Sequence, residues 1–134
     1  VSLEWDDVVD VLTLCAAYDR RTVGKFDIQA WLDALKIAGV TSREDALQAV
    51  RVHHAGTTDW CKPSHVAAGV RSIRSERFHN VTDSELMAGV DESTPGVQWV
   101  AILRSRKARI ADGATIPQAI GAVPAPSEIG ASND

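Results

Sequence analysis

Between Asp27 and Gly39 the apolar residues Ile28, Trp31, Leu32 and Leu35 stand at i, i+3, i+4 and i+7. This is the period of an α-helix with one buried face. The same pattern, bracketed by start and stop residues, recurs along most of the chain. No stretch alternates cleanly with period two, and no Asn-Gly or Asp-Gly pair marks a hairpin. The chain is therefore expected to be all-α: a compact bundle of about five helices with a disordered C-terminal tail.

The first helix is expected from Leu3 to Tyr18, with Ser2 as N-cap and Glu4, Asp6 and Asp7 at the positive end of the helix dipole. Its apolar stripe is Trp5, Val8, Val9, Leu12, Cys15 and Ala16. The second starts at Asp27 as N-cap and stops at Gly39. The third follows the capping sequence Ser42-Arg43-Glu44-Asp45 and ends at Gly56. The fourth begins at Pro63, where a first turn tolerates proline, and runs to about Phe78 with Val66, Val70 and Ile73 inward. Thr82-Asp83-Ser84-Glu85 opens a short helix. The last long helix runs from Pro95 to about Asp112, with Trp99, Val100, Leu103 and Ile110 inward and Gly113 as its stop. Residues 1–113 then form one helical domain and 114–134 a flexible tail, apart from one short turn near Ile116–Ile120. The 134 residues are the size of one domain, and 45% are apolar, enough to bury a core without disulfides.

Several function classes are disfavoured. No apolar run approaches the roughly 20 residues of a membrane span. The acidic start lacks the features of an export signal, so a cytoplasmic location in a host cell is expected. Two cysteines, Cys15 on a helix face and Cys61 in a loop, read as reduced thiols. His53, His54, Cys61 and His65 lie close in sequence, but without paired Cys-x-x-Cys or His-Glu-x-x-His spacing. They read as a core-edge histidine pair and a loop thiol, with no metal. No Gly-x-Ser-x-Gly elbow is present, and Gly24-Lys25 lacks the rest of a phosphate loop. Asp6 and Asp10 share a helix face and read as solvating it. The chain is expected to be neither an enzyme nor a cofactor binder.

Charge is segregated. Residues 1–61 carry ten acids and six bases, residues 62–110 five acids and eight bases, and residues 111–134 three acids and no base. The basic middle holds Arg71, Arg74 and Arg77, spaced by three, and the cluster Arg104, Arg106, Lys107 and Arg109. These residues are candidates for contacting nucleic acid or an acidic partner, against the alternative of a solvated face paired with acids. Trp5, Trp31 and Trp99 fall on core stripes. Trp60, in the loop before Pro63, is either a lid on the core or an anchor for a protein partner.

The order Val8-x-x-Leu12-x-x-x-Ala16-x-Tyr18, Asp19-Arg20-Arg21, Trp31-x-x-x-Leu35, Asp45-Ala46-Leu47-x-Ala49-Val50-x-x-His53, Trp60-x-x-Pro63 and Val66-x-x-x-Val70-Arg71-x-Ile73-Arg74-x-x-Arg77 resembles small phage replication-module proteins. Among them it is similar to the helical N-terminal domain of phage replicative-helicase loaders. The richness in Ala, Val and Arg suits a GC-rich genome, such as that of an actinobacterial phage. The resemblance covers about residues 5–78. It implies a non-enzymatic adaptor that binds a replicative helicase or another replisome protein. Direct DNA binding through the basic helix surfaces, or inhibition of a host protein outside replication, are the alternatives.

Overall fold

A computed structural model describes residues 2–121. Within them the chain forms seven α-helices and no strand: α1 (Trp5–Asp19), α2 (Lys25–Ile37), α3 (Arg43–Gly56), α4 (Pro63–Glu76), α5 (Asp83–Leu86), α6 (Gly96–Ala111) and α7 (Ile116–Gly121). The fold is all-α. No helix among the described residues is long and apolar enough to cross a membrane.

The described residues divide into two compact units, one up to Ile73 and one from Arg74 onward. In the first unit α1 packs on α2 and α3. Its core joins Val8, Val11, Leu12 and Cys15 of α1, Trp31 and Leu35 of α2, Ala46, Ala49 and Val50 of α3, and Val66, Ala67 and Val70 of α4. In the second unit α6 packs with α5 and α7 around Leu86, Ile110 and Ala119. Ala119 is fully buried. That is why residues 116–121, expected within a flexible tail, form a helix: the short segment docks an alanine against the α5–α6 pair. The rest of the expected tail lies outside the described residues.

Local chemistry explains most boundaries. Gly39 (φ 82°) and Gly113 (φ 103°) occupy the left-handed position after α2 and α6. In each case two backbone bonds close the end: Val40 N–H to Leu35 O and Gly39 N–H to Lys36 O after α2, and Ala114 N–H to Arg109 O and Gly113 N–H to Ile110 O after α6. These are Schellman caps. Ser42 caps α3 by accepting from Asp45 N–H at 3.1 Å. Thr82 and Glu85 form a reciprocal box on α5.

Two starts differ from expectation. Helix α2 begins at Lys25, and Asp27 sits three residues into the cap, accepting Gly24 N–H at 2.7 Å. Helix α1 is capped at Glu4, not Ser2, with Asp7 accepting Glu4 N–H at 2.9 Å. A carboxylate at the third helical position satisfies the cap N–H much as an N-cap side chain satisfies a later one, so a reading of residue types alone slips. Helix α4 also ends at Glu76, two residues short of Phe78.

Two side chains expected inward are not. Trp5 is 39% and Val100 46% exposed, whereas Val11, absent from the expected stripe, is fully buried. The converse holds for Arg106, expected on a basic surface. It is buried, and its guanidinium donates to Leu86 O at 2.6 Å and Ala88 O at 3.2 Å. Leu86 O ends α5, a helix too short to satisfy it, and Ala88 O lies in the turn just after it. Burial holds the Arg106 pKa below its ordinary value. Arg106→Ala orphans both carbonyls and is expected to cost the second unit about 1.5–3 kcal/mol, read as a lower urea midpoint with an unchanged m-value. An unchanged midpoint would show that Arg106 is ornamental to this unit.

Candidate functional site

The first unit gathers its chemically distinctive side chains at one place, where the end of α1, the α1–α2 connection, the end of α3 and the α3–α4 loop meet. Helix α1 supplies Cys15, Tyr18 and Asp19. Its last turn closes on Arg20 in the left-handed region (φ 62°), with Arg20 N–H bonded to Ala16 O. Arg21 follows. Its guanidinium lies on the Asp19 carboxylate, with Nε at 2.9 Å from Oδ1 and Nη2 at 2.5 Å from Oδ2, and also donates to Cys61 O at 2.7 Å. The ion pair is almost enclosed, with side-chain exposures of 9% and 11%. The same guanidinium lies 4.5 Å from the Trp60 ring centroid and 5.4 Å from that of Trp31.

Helix α3 ends in His53 and His54, and the three expected imidazole neighbours separate in role. His54 stacks on Tyr18 (centroids 4.5 Å, 14°) and His53 on His65 (4.5 Å, 26°). His53 Nε2 lies 2.8 Å from Asp59 O. His65 Nδ1 accepts Lys62 N–H at 2.9 Å and so caps α4. Cys61 is a loop residue, yet it is fully buried, as is Cys15; both are free thiols. Cys61 Sγ lies 4.0 Å from Lys62 O, and Cys15 belongs to the same core cluster. The neighbouring Cys15 thiol, with His53 and Arg21 nearby, lowers the Cys61 pKa to about 7 against the opposing effect of burial. The Cys61 side chain, then burial, push the Cys15 thiol up. Ligand atoms of His53, His54 and Cys61 all lie within 4.8 Å of one another. These three and His65 are near neighbours in sequence, whereas Cys15, Tyr18 and Arg21 are brought in only by the packing of α1 on α3.

Arg21, above all through its hydrogen bonds, holds the Asp19 carboxyl below its ordinary value of 3.8. A carboxyl depressed in the folded state contributes stability that is full above the ordinary range and is lost as pH falls through the folded value. Asp19→Asn is therefore expected to flatten the loss of stability below about pH 4, measured by urea midpoints down a pH series. Parallel acid limbs in the two proteins would contradict this.

Trp60 is 52% exposed, and Tyr18 49%. Trp60 is thus not a buried lid. One part of it rests on Arg21 and the rest faces outward.

The basic residues are mostly engaged within their own units. Arg74 pairs with Asp112 at 2.7 Å, Arg77 donates to Ala111 O, Lys107 pairs with Asp83 at 3.2 Å, and Arg109 donates to Ser105 Oγ at 2.7 Å. Arg106 is buried, as above. Arg71 and Arg104 are exposed. Within the second unit the acids that pair with this group are Asp83 and Asp112. Arg71 rims a shallow groove of about 280 Å³ lined by Ala34, Ala38, Pro63, Ser64 and Ala67.

Comparison with protein-family models, with curated proteins and with solved structures finds no match.

Proposed function

We propose that the chain is a non-enzymatic adaptor of the phage replication type. Its first unit binds a replicative helicase or another replisome protein through the face that carries Trp60. The observation that supports this reading is the setting of Trp60: a large ring, half exposed, held by a guanidinium that is itself fixed by Asp19 and Cys61. A rigid aromatic that pays little entropy on docking is what the centre of a protein interface uses. Tyr18 adds a second exposed ring on the same unit. The order of motifs over residues 5–78 supports the class of partner.

The arginines favour a protein partner over DNA. Five of the seven basic candidates spend hydrogen bonds or ion pairs inside the second unit. A phosphate would have to compete with those contacts. The test is capture of purified replicative helicase by the immobilised chain, with binding to duplex and single-stranded DNA measured alongside. Helicase retention at micromolar concentration is expected. DNA retention that weakens steeply with salt, with no helicase retained, would replace this reading by direct DNA binding.

A further inference from the structure

We propose that His53, His54 and Cys61, completed by Cys15, form a binding site for a divalent ion of the zinc class. The site is independent of the partner proposed above. Three donors from the end of α3 and the α3–α4 loop already stand within 4.8 Å of one another. Zinc bonds of about 2.0–2.3 Å set ligands roughly 3.5 Å apart, so the cluster contracts by on the order of 1 Å to close on an ion.

The two imidazoles are arranged as ligands. A carbonyl only accepts, so the contact with Asp59 O fixes the proton of His53 on Nε2. This leaves the Nδ1 lone pair free to coordinate. An imidazole whose other nitrogen donates to a backbone carbonyl is the usual outer support of a metal-bound histidine. His54 Nε2 is buried and has no hydrogen-bond partner. An orphaned buried nitrogen costs stability, and a metal bond would satisfy it.

The fourth donor is Cys15, fully buried in the same core cluster as Cys61 but outside the 4.8 Å group, so its thiol must turn inward as the ion binds. Both sulfurs are closed off from solvent, which suits a four-coordinate structural site rather than an open catalytic one. Charge also balances. Two thiolates and two neutral imidazoles cancel a divalent ion, and Arg21 is already neutralised by Asp19. Binding transfers the two thiol protons to water, so the ion replaces two protons with no redox change. Two sulfur and two nitrogen donors select zinc over magnesium or calcium, which take oxygen.

The test uses the full chain, reduced and stripped with chelator, and two probes: cobalt(II) and zinc(II). One equivalent of cobalt is expected to give the intense visible bands of a tetrahedral site with thiolate charge transfer, and one equivalent of zinc to bleach them. Zinc is also expected to raise the melting temperature of the wild-type chain, a readout that needs no variant to fold. Cys61→Ser and His54→Gln are expected to lose the cobalt spectrum, Cys15→Ala to halve the charge-transfer intensity, and His79→Gln to keep both bands. Weak octahedral cobalt bands, no thermal shift with zinc, or a spectrum indifferent to Cys61→Ser would each overturn the site. Charge transfer unchanged in Cys15→Ala would overturn Cys15 as the fourth donor.

Discussion

Replacing Arg21 by Ala is expected to destabilise the first unit by about 3–5 kcal/mol, the cost of leaving one member of an enclosed ion pair without its partner. The loss has three parts. Asp19 keeps its charge in a nearly closed setting without a counter-ion. Cys61 O loses its donor. Trp31 and Trp60 lose the cation that lies against them. For a unit of this size the melting temperature falls by at least about 12 °C. Arg21→Lys keeps the charge but not the fork that reaches Asp19 and Cys61 together, so it recovers only part of the loss. The double variant Asp19→Ala with Arg21→Ala is expected to be more stable than Arg21→Ala alone, because no charge is stranded. Thermal unfolding checks all three. A single variant that melts within about 3 °C of wild type, less than 1 kcal/mol, would mean that Arg21 is a surface residue in solution.

The second large effect is expected at Gly69, in the middle of α4. A Cβ built there lies 2.8 Å from the Ala49 Cβ and 3.3 Å from its Cα. Carbon atoms rest at about 3.5–4.0 Å, so any side chain forces α3 and α4 apart. Glycine inside a helix costs about 1 kcal/mol relative to alanine, and close approach of the two backbones is what the chain gains in return. Gly69→Leu is expected to cost about 3 kcal/mol, the upper end of overpacking effects. Exchanging the pair, Gly69→Ala with Ala49→Gly, restores the space and is expected to lie within about 1 kcal/mol of wild type. Urea unfolding of the two single variants and the exchange measures the coupling. Additive effects would contradict a close crossing at this point.

These two sites show what could and could not be read from the sequence. The helices were legible because caps and stops are local: Ser42, Thr82, Gly39 and Gly113 do in the structure what their types suggest. The stripe of α2 was legible because Trp31 and Leu35 fall on one face. Periodicity gives the direction of a buried face but not its width. Val11 is therefore buried and Trp5 half out, although both lie near the same stripe. Gly69 carries no local signal, since its role exists only against Ala49. Arg106 looked like a surface cation because nothing in its neighbourhood along the chain announces that α5 ends against it.

At the candidate site the near-neighbours in sequence, His53, His54 and Cys61, were visible as a group. Cys15 and Arg21 were not, because they arrive from α1 and the segment after it. Trp60 was visible as a loop tryptophan, but its support was not. The support is what changes its meaning, from an apolar side chain seeking cover to one held outward.

Affinity of the chain for purified replicative helicase, measured by calorimetry for wild type and Trp60→Ala with circular dichroism to show both folded, tests the central claim most directly. A hot-spot tryptophan is worth at least about 2 kcal/mol, so the account predicts micromolar or tighter binding that weakens about 30-fold in Trp60→Ala. Binding indifferent to Trp60, or no binding to the helicase at all, would contradict it.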